Sequence, residues 1–342
     1  MMVQNKKKIY IKCQNGIDFN TALKEIFHEL TDIFYFIESD KPDFILFGPY
    51  GNHIPPKGDY IRIGYFCENI IPDMSICEWG FGIPLEEEIN NVKYKRIQWH
   101  GFDPKILIKN LSDNDIDYII NQKQRFCNFF YSNPVPYREH FFKQLSKYKK
   151  IDAPGKSMNN MSSIDEKYIG NMWERKRLFL SEYKFTIAFE NYVYPGYQTE
   201  KLYDSMRCNS LPIYCGDPFV GQIFNTNSFI NVLDYIDSSD GFLLKYLEKN
   251  AQMTLKDILP QFHSNIKHRV IRKVKSIGRN LKMRLQFNNL NFDPVIEKII
   301  EIDRNQDLHI KYLQQQWFNN NTVSANFTLK DRWLEIFNEN GK

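Results

Sequence analysis

The chain reads as an α/β protein built from two Rossmann-like domains. Three observations predict this. Strand and helix signals alternate through the first hundred or so residues. A second alternating series restarts near Phe126. The segment Tyr183–Pro218 packs a strand, a loop, a helix and another strand into one short unit. A chain of 342 residues suits two domains better than one, and a hydrophobic content of 42% can fill two cores.

In order, Lys8–Cys13 reads as a strand and Phe19–Phe34 as an amphipathic helix. Phe44–Phe47 and Tyr60–Phe66 read as further strands, with the turn Gly48-Pro49-Tyr50-Gly51 between them, and Glu86–Asn91 as a solvated loop. A connecting helix near Pro104–Ile120 leads to Asn121-Gln122, where we place the boundary between a domain 1–121 and a domain 122–342. In the second domain, Tyr183–Phe189 reads as a buried strand and Glu190–Gly196 as a loop. Glu200–Arg207 reads as a helix with Thr199 as N-cap and Leu202, Tyr203 and Met206 on one face. Leu211–Tyr214 is the following strand, ended by Gly216-Asp217-Pro218.

Composition narrows the function classes. A net charge of +4 is too small to imply nucleic-acid binding. No run of about 18 apolar residues and no secretory leader is visible, so the expectation is a cytoplasmic protein. The six cysteines are scattered without metal-ligand spacing to histidine, and no Asp-x-Asp pair stands at a strand end, so no metal site is expected.

A helix entering from the carboxyl edge of a parallel sheet presents unpaired first-turn amides with partial positive charge, where a phosphate fits. Lys201 sits in that first turn, an unfavourable place for a cation unless an anion offsets it. Glu200 beside it could accept hydrogen bonds from ribose hydroxyls.

The wording of these segments adds a resemblance. YKFTIAFEN, GYQTEKLYDSM and LPIYCGDP, in that order and spacing, resemble the donor-binding signature of the α-1,3/4-fucosyltransferases, glycosyltransferase family 10. FCNFFYSNP (126–134) with Arg138, YKKIDAPGKSMNN (148–160) and IGYFCENIIP (63–72) extend it over most of residues 40–235. The resemblance implies a GT-B fold, two facing Rossmann-like domains with the site in the cleft, acting as a soluble bacterial-type enzyme without the anchor of animal members. It implies transfer of L-fucose from GDP-fucose, with inversion, to a GlcNAc or glucose hydroxyl (α-1,3 or α-1,4) of a LacNAc-type or O-antigen glycan.

It also implies residue roles. Glu68 aligns with the proposed catalytic base, with Glu78 as runner-up. Asn191, Tyr197, Glu200 and Lys201 line the donor site, and Ser132, Asn133 and Arg138 frame its other wall. Bacterial relatives place a phosphate-binding Arg where this chain has Asn159; Lys156, Arg175 or Arg177 are candidates to replace it. No cofactor is required beyond the donor substrate, and stimulation by Mn²⁺ or Mg²⁺ stays open. The alternatives are the same fold using another GDP-sugar, or a catalytically silent nucleotide-sugar or glycan-binding protein.

Residues of about 238–292 read as an insertion, with Val295–Phe318 closing the domain after it. Within it, Ile266–Leu285 is a basic amphipathic helix. Its apolar residues recur at three- and four-residue steps and Lys and Arg fill the other faces. It is read either as a surface helix docked on the domain or as a peripheral contact with the inner, anionic face of a membrane.

Overall fold

Six parallel strands carry the first part of the chain. In the computed structural model, which describes residues 6–98, 103–236, 241–323 and 329–339, these are β1 (Lys7–Gln14), β2 (Phe34–Glu38), β3 (Phe44–Phe47), β4 (Ile61–Phe66), then, after the two-residue β5 (Ile70–Ile71), β6 (Trp79–Gly82) and β7 (Tyr94–Arg96). The sheet order is β2-β1-β3-β4-β6-β7. Of the inner strands, β3, β4 and β6 are almost wholly buried, as parallel strands covered on both faces are, and their sequences FILF, IRIGYF and WGFG contain little polar alternation.

The expected helix Phe19–Phe34 is not regular. Asp18 caps a three-residue α-turn, Phe19–Thr21, which widens into a π-helical stretch, Ala22–Ile26, and a 3-10 turn, His28–Leu30. Phe34 already belongs to β2. Phe34 and Phe36, two residues apart, both point into an aromatic core with Phe27, so the period of the strand overrides the helical spacing there.

That core is closed by the helix Lys330–Glu339. Its Phe337 packs edge-on to Phe34, Phe36 and Phe44, and its Trp333 stacks on Phe81 at 4.3 Å. The late chain therefore returns to the early sheet. One compact unit comprises Met1–Phe102, Asn250–Ile277 and Ala325–Lys342; the other comprises Asp103–Lys249 and Gly278–Ser324. This differs from the division at 121/122. The helix Asp113–Gln122 belongs to the second unit, and part of the expected insertion is built into the first. There β13 (Met253–Thr254) pairs with β5, Leu255 and Leu259 join the cluster of Phe47, Phe66, Ile70 and Cys77, and Gln252 hydrogen-bonds to Asn69. Residues 238–240 of the expected insertion lie outside the described residues.

The second unit has its own parallel sheet of β8 (Arg125–Asn128), β9 (Ile151–Asp152), β10 (Tyr183–Phe189), β11 (Leu211–Cys215) and β12 (Ile230–Asn231), in the order β12-β11-β10-β8-β9. β10 is its centre and β10, the helix Glu200–Arg207 and β11 fall where the sequence places them. Leu202, Tyr203 and Met206 are all buried, as their common face requires. The closing segment forms two helices, Asp293–Arg304 and Gln306–Gln314.

Candidate active site

The site of the second unit grows from the carboxyl end of β10. Tyr131 grips that end: its hydroxyl donates to the Ile187 carbonyl at 2.7 Å and accepts from the Phe189 amide at 2.7 Å. The next residue, Glu190, leaves the strand with its amide bonded to the Cys215 carbonyl at 2.8 Å. Its side chain is fully buried, which a carboxylate tolerates only when its oxygens are satisfied. A Cβ on Gly216 would lie 2.5 Å from Glu190 Cγ, so glycine is what lets the carboxylate fold inward here.

Glu190 organises the start of the helix Glu200–Arg207. Its Oε1 accepts from the Thr199 amide at 2.8 Å, and its Oε2 accepts from the Thr199 hydroxyl at 2.7 Å and from Lys201 Nζ at 3.2 Å. Lys201 Nζ also donates to the Thr199 hydroxyl at 2.7 Å. Thr199 occupies the N-cap position with extended backbone, yet its side chain makes no capping bond. The hydroxyl is engaged elsewhere: it donates to Glu190, and its oxygen accepts from Lys201 Nζ instead of from a first-turn amide. The first turn of the helix is thus left without a side-chain cap.

Charge is concentrated at this point. Burial opposes the charge on Lys201, but Glu190 and Glu200 hold its ammonium well above the usual lysine range. Burial pushes the Glu190 carboxyl up, against the pull of Lys201. Glu200 goes the other way: despite burial, Lys201 at 3.6 Å and Lys176 at 3.9 Å lower it to about 2. Lys176 pairs with Asp204 at 2.6 Å. A water-sized space of about 20 Å³ lies among Lys176, Lys201, Asp204 and Tyr131.

The loop between β10 and the helix is pinned by Asp217. Buried, it accepts from the Gly196 amide at 2.6 Å, from the Phe219 amide at 2.9 Å and from Gln198 Nε2 at 2.6 Å. Tyr197 is buried within this loop and Asn191 is exposed at its start. Arg138 reaches Asn191 Oδ1 at 3.1 Å, the Asn133 carbonyl at 2.6 Å and the Phe189 carbonyl at 3.4 Å, with its guanidinium 3.6 Å from the Tyr131 ring. At 1% exposure it braces the wall rather than lining it.

Of the other expected residues, Ser132, Asn133 and Lys156 are exposed. Asn159 turns its amide back on its own loop, donating to the carbonyls of Pro154, Gly155 and Met161 at 3.1–3.3 Å. Of the candidates to replace the Arg at that position, Lys156 is exposed, Arg175 pairs with Asp165 and the Gly170 carbonyl, and Arg177 lies on the same helix as Arg175, Met172–Ser181. Besides Lys201, the cation that approaches Glu200 is Lys176, between the two on that helix. Helical phase could have found it, because Lys176, Phe179 and Leu180 share the buried face of Met172–Ser181.

In the first unit, Glu68 follows β4 half-buried, with one carboxylate oxygen accepting from the Tyr50 hydroxyl. Tyr50 is held by the turn at Asn15-Gly16: its amide donates to the Asn15 carbonyl at 3.2 Å, and Gly16 has φ of +86° with no room for a Cβ beside Tyr50. The runner-up, Glu78, is engaged in the sheet. It forms a bidentate pair with Arg62, at 2.5 Å for the shorter arm, and also accepts from the Arg62 amide. Burial works against ionisation, yet those Arg62 contacts keep the Glu78 carboxyl below its ordinary value.

Residues 120–273 match the model of the glycosyltransferase family 10 (fucosyltransferase) C-terminal region. That region is where the chain is similar to the family 10 fucosyltransferases. The chain is 36% identical over 141 residues to a putative fucosyltransferase of Acanthamoeba polyphaga mimivirus, covering 40% of this chain and 23% of that protein. It is 35% identical over 137 residues to an alpha-(1,3)-fucosyltransferase of Helicobacter pylori, covering 39% of this chain and 27% of that one. The matches thus span about a quarter of the length of these relatives. The crystal structure of an alpha1,3-fucosyltransferase with GDP-fucose superposes with a TM-score of 0.65 at 18% identity, over 100% of this chain and 93% of that one. The fold is therefore the GT-B fold that the sequence predicts. Among the described residues, no helix is long and apolar enough to cross a membrane.

Proposed function

We propose that this protein is an inverting family 10 fucosyltransferase, moving L-fucose from GDP-fucose to a GlcNAc or glucose hydroxyl of a glycan through an α-1,3 or α-1,4 link. One observation carries the donor assignment: the uncapped first turn of the helix Glu200–Arg207, with charged Lys201 beside it and Glu190 holding both Thr199 and Lys201 in place. The diphosphate fits that turn, where amides and an ammonium offset the charge that gathers on the β-phosphate as the bond to the sugar breaks. Glu200, ionised far below neutral pH, is suited to accept hydrogen bonds from ribose hydroxyls.

Three changes then occur together. The acceptor oxygen bonds to the anomeric carbon, the bond from that carbon to the phosphate oxygen breaks with its electron pair leaving on GDP, and the acceptor proton passes to a carboxylate. Glu68 is the proposed recipient, since it keeps one carboxylate oxygen outside the Tyr50 contact, whereas Glu78 is committed to Arg62. Protein cations do the neutralising, so no metal ion is needed for the step. The test is turnover of GDP-fucose against GDP-mannose over a panel of LacNAc and O-antigen-type acceptors, read by mass spectrometry. Fucosylated product with GDP-fucose alone supports the reading. Equal or greater turnover of GDP-mannose, or donor binding without transfer to any acceptor, overturns it.

A further inference from the structure

The helix Ile266–Gln286 wears its amphipathicity inside out. A surface helix normally turns its apolar stripe to the core. Here Ile266, Val270, Val274, Ile277, Leu281 and Leu285 are all exposed, between 39% and 76%. At 3.6 residues per turn the six fall within an arc of about 100°. The inward side buries Met283 but is otherwise held by polar contacts. Lys275 is bonded to Asp257, and Lys282, buried, donates to the Val193 carbonyl at 3.1 Å and pairs with Glu248 at 2.8 Å. These pairs fix the rotation of the helix: turning the stripe inward would pull Lys275 and Lys282 off their carboxylates. The helix Phe242–Ala251, which supplies Glu248, also exposes Phe242, Leu243 and Tyr246, next to exposed Lys245 and Lys249.

The charge around the stripe has one sign. The 21 residues contain eight Lys or Arg and no Asp or Glu. Arg269, Lys273 and Arg284 flank the stripe on one side and Lys267 on the other, all exposed. We propose that this face is a docking surface for a membrane leaflet containing anionic lipid, with the helix lying in the interface plane. The apolar stripe would enter the acyl boundary and the flanking cations would meet the headgroups. A second copy of the chain is a poor occupant, because stripe-to-stripe packing sets flanking cations against flanking cations with no acidic residue to offset them. A nucleic acid would engage the cations and leave the apolar stripe in water.

The experiment is sedimentation of the full chain with phosphatidylcholine vesicles, with and without phosphatidylglycerol. Retention on anionic vesicles at low salt, release at high salt and little retention on neutral vesicles are expected. Arg269→Gln with Lys273→Gln should lower the partition coefficient roughly 30-fold, and Val274→Asp with Ile277→Asp should abolish retention. All four positions are exposed, so circular dichroism and transfer to a soluble acceptor should match the wild type. Failure to bind anionic vesicles, or equal binding to neutral ones, overturns the proposal. So does a concentration-dependent dimer that the Val274→Asp, Ile277→Asp variant dissolves, which would make the face a self-association surface.

Discussion

Replacing Glu190 with Gln keeps the side-chain volume and removes one buried charge. The carboxylate accepts three hydrogen bonds, from the Thr199 amide, the Thr199 hydroxyl and Lys201. An amide in its place turns a donor toward a site surrounded by donors, and it leaves Lys201 with Glu200 at 3.6 Å as its main counter-charge. Breaking one side of a buried pair typically costs about 3–5 kcal/mol. With Glu200 still in place, the low end applies, about 3 kcal/mol. For a unit of this size that corresponds to a fall in Tm of about 6–12 °C. Calorimetric melting measures it, and GDP titration gives a second readout, because Thr199 and Lys201 lose the group that holds them and affinity should fall with stability. A melting point unchanged to about a degree together with unchanged GDP affinity would refute the role given to Glu190.

Further outcomes are expected. Glu68→Gln should slow transfer about 10²- to 10⁴-fold while GDP binding, measured by calorimetry, stays as in the wild type; near-normal transfer would remove Glu68 as the base. Glu200 is lowered in the folded state to about 2, so its contribution to stability is present above the ordinary glutamate range and is lost as pH falls from about 4.5 to about 2. The acid-unfolding curve of Glu200→Gln should accordingly be flatter than that of the wild type in that window, and parallel curves would contradict it. Transfer should persist when protein and substrates are freed of divalent cations with EDTA; complete loss restored by Mn²⁺ would show that the phosphate charge is neutralised by metal.

The parts of the site that were legible in the sequence are those encoded locally. β10 alternates apolar residues with Lys184 and Thr186, β11 is a mostly apolar run, and the helix between them has a clear buried face, so their bounds follow from the pattern. Thr199 shows what local pattern misses. It stands at a cap position, but its hydroxyl donates to Glu190, nine residues earlier, and accepts from Lys201 rather than from a helix amide. Glu190 itself reads as the first polar residue of a loop, and only the close approach of Gly216 turns it inward. The same limit holds for the basic helix. Its apolar stripe is plain in the sequence, but the side that faces solvent is set by Asp257 and Glu248, through pairs that no periodicity reveals. The unit division was hidden for a related reason: Trp333 and Phe337 reach back across most of the chain to Phe34, Phe44 and Phe81.

The central claim is that the diphosphate of the donor is held at the helix Glu200–Arg207 by Lys201. Titration of GDP into the wild type and Lys201→Ala tests it most directly. A charge-assisted contact to phosphate is worth about 1.5–3 kcal/mol, so affinity should fall roughly tenfold or more. The far-ultraviolet circular dichroism should stay unchanged. Equal GDP affinity in a folded Lys201→Ala protein would contradict the account.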